Sequence, residues 1–118
     1  DKFFLRSYDN FAAFVFQLSF AATAATIVSG ALAERTHFSA YLVIAAFSSA
    51  LIYPVVVHAV WSTTGFLSLF NAENGGVGAI DIAGSGVVHM TGGIMALWGA
   101  IFVGPRRGRF TINLEEKH

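Results

Sequence analysis

Cysteine is absent from the 118 residues, charge is scarce and proline occurs twice. Without cysteine, disulfides and thiolate metal sites are excluded. Only 12% of the residues are Asp, Glu, Lys or Arg, about half the roughly 25% usual in soluble domains. The seven basic and seven acidic side chains cancel, so the basic surface that a nucleic-acid partner requires is missing. Against these shortages stand 55% hydrophobic residues and a mean hydropathy of +0.64.

The placing of the few charges says more than their number. No Asp, Glu, Lys or Arg occurs in the 24 residues between Asp9 and Glu34, the 37 between Arg35 and Glu73, or the 24 between Asp81 and Arg106. A hydrocarbon core of about 30 Å needs roughly 20 helical residues at 1.5 Å each. Each gap therefore accommodates one membrane span, and the middle gap a span plus part of a loop. Lipid offers backbone groups no water, so spans are helices or strands of a closed barrel. The apolar runs are continuous rather than alternating, which favours helices. A soluble helical protein of this length would have no polar outer faces to cover three apolar helices.

The expected fold is thus an all-α membrane protein with three transmembrane helices, at about 10–33, 39–61 and 82–104. Ala21, Ala22, Ala24, Ala25, Ser29 and Gly30 suit close backbone approach in the first. A turn of four or five residues makes the first two spans antiparallel neighbours. Pro54 should kink the second span or loosen its hydrogen bonds. Tyr53 and Trp61 are expected at a membrane interface. An outer loop at 62–81 follows, with enough apolar character to fold back on the protein. Gly104-Pro105 ends the third span, before a tail at 105–118.

Lys2 and Arg6 share one side of the membrane; Arg35, Arg106, Arg107, Arg109 and Lys117 share the other. Two against five puts the tail in the cytoplasm and the loop at 62–81 outside. No cleavable signal peptide is visible. An odd span count, a start within a polar stretch and no initiator Met are what a segment of a longer protein would display.

His89 is the sharpest candidate for function. It lies eight residues beyond Asp81, about 12 Å inward at helical rise, where ionisable groups are rare and face a cavity or a partner. Gly92, Gly93 and Ala96 at i+3, i+4 and i+7 leave one helix face nearly bare around the imidazole. The plainer reading is a structural histidine with glycines that only permit tight packing. Asp81 reads as a helix N-cap worth roughly 1 kcal/mol, or as a carboxylate that holds a cation near the outer mouth. Phe16 and Phe20, spaced i, i+4, stack on one face, as ordinary packing or as a gate. Trp61 is an interfacial anchor by default and could offer a cation–π face. His58 and His89 on neighbouring helices could also ligate a haem iron, although His58 sits nearer the outer end of its span.

Four stretches, GALAERTHFSAYL at 30–42, YPVVVHAVW at 53–61, AIDIAGSGVVHMTGG at 79–93 and GPRRGRF at 104–110, resemble the ammonium transporter (Amt) family. The match runs in order from about Phe11 to Phe110, and the block around Asp81 and His89 is highly specific. The outer loop before Asp81 looks more like the plant and algal type than the bacterial one. The resemblance implies an eleven-helix transporter, of which this chain matches the third to fifth helices. It implies assembly as a homotrimer with one pore per subunit, in the lipid bilayer of the plasma membrane. It also implies ammonium or ammonia as substrate, with no enzymatic activity, catalytic residue, metal or cofactor. At matching positions Trp61 resembles the aromatic of the outer recruitment site and Asp81 the acidic residue that shapes it. Phe16 and Phe20 match the phenylalanine pair over the pore, though one gate residue of the family comes from a later helix. His89 matches the first of two pore histidines, whose partner belongs to a later helix. The alternatives are a haem-binding membrane oxidoreductase subunit using His58 and His89, or a non-conducting ammonium sensor.

Overall fold

The computed structural model describes residues 10–110; Lys2, Arg6, Lys117 and the tail beyond 110 lie outside the described residues. The described residues form an all-helical fold, with three helices among them long and apolar enough to cross a membrane: α1 (Phe11–Leu32), α2 (Phe38–Trp61) and α3 (Ser85–Val103). At 22 residues, α1 is about 33 Å long, enough for the hydrocarbon core. It opens on Asn10, whose side-chain oxygen accepts from the Ala13 N–H, satisfying one of the donors a helix start leaves over. Its hydroxyls turn inward on the helix: Ser19, Thr23, Thr26 and Ser29 donate to the Val15, Ser19, Ala22 and Thr26 carbonyls. Polar side chains satisfied in this way cost little in lipid.

The packing of α1 against α3 depends on small residues. Ala24, Ala25, Val28 and Leu32 are buried on α1. A Cβ on Gly92 would come within 3.0 Å of the Ala24 carbonyl oxygen and 2.9 Å of Ile27; one on Gly99 would meet Leu32 at 3.1 Å. Seven residues apart, Gly92 and Gly99 share one face of α3 and let the two backbones approach. Of the small residues expected to do this on α1, Ala24 and Ala25 do so. Ala22 and Gly30 face away, with open space beside Gly30.

In α2 the loosening expected from Pro54 takes a definite form. A π-helical turn at Ser48–Ile52 precedes the proline, and the Tyr53 N–H reaches back five residues to the Ser48 carbonyl. Proline supplies no N–H and its ring crowds the carbonyl four residues back. A wider turn relieves that crowding. Tyr53 departs from the interfacial place expected for it: at 4% exposure it packs with Ala24, Val87 and Val88, at the point where all three helices meet.

The two ends of the bundle are fastened differently. At one end Arg35 donates to the Gly104 carbonyl at 3.2 Å and Arg106 pairs with Glu34. At the other, the loop between α2 and α3 folds back on α2. The Leu67 N–H donates to the Ala59 carbonyl at 3.0 Å and the Ala79 N–H to the Leu67 carbonyl at 2.8 Å. The Asn71 and Asn74 amides donate to loop carbonyls at Gly65 and Ser68. Gly65 is fixed by contact, since a Cβ there would lie 2.2 Å from the His58 carbonyl oxygen.

Candidate functional site

Asp81 organises the outer end. The sequence suggests a cap directly before a helix starting near residue 82, but α3 begins at Ser85 and the cap position is Gly84. Ala83 and Gly84 are both left-handed, with φ 57° and 74°. This bend brings the Asp81 carboxylate back over the helix start. Oδ1 accepts from the Gly86 N–H at 2.6 Å and the Ser85 hydroxyl at 3.1 Å. Oδ2 accepts from the Trp61 indole at 2.8 Å and the Val87 N–H at 3.4 Å. Partial burial opposes ionisation, but the hydrogen bonds from Gly86, Ser85, Trp61 and Val87 outweigh it and hold the carboxyl below the usual carboxylate range. Asp81 is therefore a cap acting from three residues before the cap position, and an anchor for Trp61.

From Trp61 an aromatic chain crosses to α1 and runs toward its N-terminal end, where Phe16 is 60% exposed. Phe20 meets Trp61 with ring centroids 5.3 Å apart at 73°, and Phe16 meets Phe20 at 4.8 Å and 88°. The phenylalanines share a face as their spacing requires, but edge to face rather than in a parallel stack. That is the geometry aromatic quadrupoles prefer. Phe16, Phe20, Trp61 and Asp81 all line one hollow of about 400 Å³, closed on the loop side by Leu69, Phe70 and Ile80.

His89 is not in the lining of that hollow. It lies on a π turn, Ser85–Met90, that opens α3. Its backbone N–H and its Nδ1 both approach the Gly84 carbonyl, at 2.9 and 3.2 Å. A carbonyl can only accept, so this bond puts the proton on Nδ1 and leaves the lone pair of Nε2 open. The bare face expected around the imidazole is only half present. Gly93 does have open space beside it, but Gly92 is taken by the packing on α1, because the π turn offsets the α-helical spacing assumed for i+3 and i+4.

His58 belongs elsewhere: it lines a separate hollow of about 540 Å³ with Phe14, Gln17 and Tyr53, and His89 is not part of that lining. Two features here carry no mark in the sequence. One is the π turn under His89. The other is the Tyr53 hydroxyl, buried without a partner among the described residues.

The family model described as Ammonium Transporter Family matches residues 3–118. Among curated proteins, the chain is 51% identical over 104 residues to ammonium transporter 1 member 2 of Oryza sativa subsp. japonica. It is 51% identical over 104 residues to ammonium transporter 1 member 1 of Arabidopsis thaliana. In each case 86% of this chain and 21% of the relative are covered. Ammonium transporter 1 member 4 of Arabidopsis thaliana is 48% identical over 119 residues, covering 94% of this chain and 24% of the relative. The chain thus spans between a fifth and a quarter of the length of these relatives. No solved structure matches it.

Proposed function

The chain belongs to the ammonium transporter family, and from that premise we propose that the protein carrying it moves ammonium or ammonia across a membrane. The observation that carries this reading is the convergence of Phe16, Phe20, Trp61 and Asp81 on one hollow, at the same end of the bundle as the start of the His89 helix. A cation arriving at that end meets the indole face of Trp61 and the ionised Asp81 behind it. Dehydrating an ion for an apolar passage is costly, so ammonium gives up its proton to water at the outer mouth, before the Phe16–Phe20 constriction. The neutral ammonia then passes His89, whose Nε2 accepts a hydrogen bond from it. The Nδ1–Gly84 bond supports this role, because it orients the ring and fixes the tautomer. A second histidine from outside this chain completes the lumen, in an eleven-helix subunit of a plasma-membrane homotrimer with the arginine-rich end in the cytoplasm.

His89→Ala in the full-length protein tests the reading. A hydrogen bond to a neutral permeating species is worth roughly 0.5–1.5 kcal/mol, so uptake should fall about twofold to tenfold with assembly intact. Unchanged uptake and selectivity would remove His89 from the mechanism. No ammonium uptake by the unmodified protein in transport-deficient cells would favour a sensor. A Soret band in the purified protein would favour the haem alternative, for which the separate surroundings of His58 and His89 give no support.

A further inference from the structure

We infer that the arginine-rich end of the bundle is a binding site for the phosphate of an anionic phospholipid. The inference rests on the three helices spanning a membrane and is independent of what the protein transports. Among the described residues every Lys or Arg side chain lies at this end: Arg35 after α1, and Arg106, Arg107 and Arg109 after α3. They line two adjoining open hollows of about 490 and 530 Å³ that share Arg35 and Arg106. Among the described residues the one carboxylate there, Glu34, is paired with Arg106, which leaves three net positive charges on them. Arg35 uses one donor on the Gly104 carbonyl, as expected of a cation at a helix C-terminus. That accounts for Arg35 but not for the others. Arg107 and Arg109 make no side-chain bond to a protein group among the described residues.

The surroundings match a lipid rather than a soluble anion. Phe110, 75% exposed, lines one hollow with Arg106 and Arg109, and the exposed Phe38 and Phe102 are the chain neighbours of His37 and Val103, which line the other. A phospholipid presents that combination: acyl chains along the apolar residues, and a phosphate diester to which a planar guanidinium donates twice. Basic pockets at the cytoplasmic ends of transmembrane helices take anionic headgroups in this way.

The test is made on the full-length protein in nanodiscs of phosphatidylcholine containing phosphatidylglycerol, with retained lipids counted by native mass spectrometry. We expect phosphatidylglycerol to be enriched over its bulk fraction. R107Q/R109Q should lower that enrichment by roughly thirtyfold, at about fivefold per arginine near the membrane surface, and R107K/R109K, which keeps the charge but not the paired donors, should lose less than that. If the double glutamine variant does not fold, R109Q alone should lose about fivefold. Equal retention of the two lipids by the unmodified protein, or an enrichment that the glutamine variants leave unchanged, would overturn the site. Displacement of the lipid by millimolar inorganic phosphate would overturn the lipid assignment in favour of a soluble phosphate.

Discussion

Asp81 serves the outer end through both carboxylate oxygens, one on the helix start at Ser85 and Gly86 and the other shared between Trp61 and Val87. Asn at this position keeps the shape but turns one acceptor into a donor facing N–H groups. Asp81→Asn should therefore destabilise the full-length protein by about 1–3 kcal/mol, seen as a lowered thermal midpoint, and weaken ammonium uptake by freeing Trp61. The pH dependence has a fixed sign. The folded carboxyl titrates below its ordinary value of about 3.9, so its stabilisation is complete above that value and lost as pH falls through the lower folded one. The gap in thermal midpoint between the unmodified protein and D81N should stay constant from about pH 7 to 5 and shrink only below about pH 4. A gap that closes near pH 6 would mean the carboxylate is not held as described. Asp81 and Trp61 are 20 residues apart, and neither spacing nor periodicity pairs them. Read singly, each has a bland role; the hydrogen bond between them, visible only in the folded chain, joins a cap to an anchor.

At the level of elements, the helices were legible because three uncharged stretches are too long for anything but spans. The two π turns were less so, since a wider turn leaves no mark in composition. Pro54 announced the one in α2, and nothing announced the one under His89. The start of α3 falls three residues later than expected, because Ala83 and Gly84 adopt left-handed conformations that for alanine cost about 1–2 kcal/mol. Hydropathy shows no such bend. The loop between α2 and α3 reads as polar and glycine-bearing, yet it is pinned to α2 through backbone and asparagine bonds. Gly65 is the pin most open to test. A methyl group there would overlap the His58 and Ala59 carbonyl oxygens, at 2.2 and 2.4 Å. Gly65→Ala should force the loop off the helix end, with faster hydrogen exchange at the Leu67 and Ala79 amides and a loss of about 1–3 kcal/mol. Unaltered exchange at those amides would show that the loop is held by other means.

Over the whole molecule, the arrangement puts the α1–α2 turn and the end of α3 on one side, and the long loop with the start of α3 on the other. Single cysteines replacing Glu73 and Arg107, in a full-length protein otherwise free of cysteine, should react with an impermeant thiol reagent from opposite faces of the membrane. Labelling of both from one face would contradict the three-span topology. The same separation has an electrical meaning. Among the described residues, four arginines against Glu34 leave three positive charges on one face, while Glu73 and Asp81 put two negative charges on the other. Across a membrane held negative inside, each elementary charge moved through the potential is worth about 2.3 kcal/mol per 100 mV. With the arginine-rich end inside, as proposed, inverting these described residues would carry three positive charges outward and two negative ones inward, against roughly 12 kcal/mol per 100 mV. In that proposed orientation the resting potential itself acts as a latch on the direction in which Trp61 and Asp81 face.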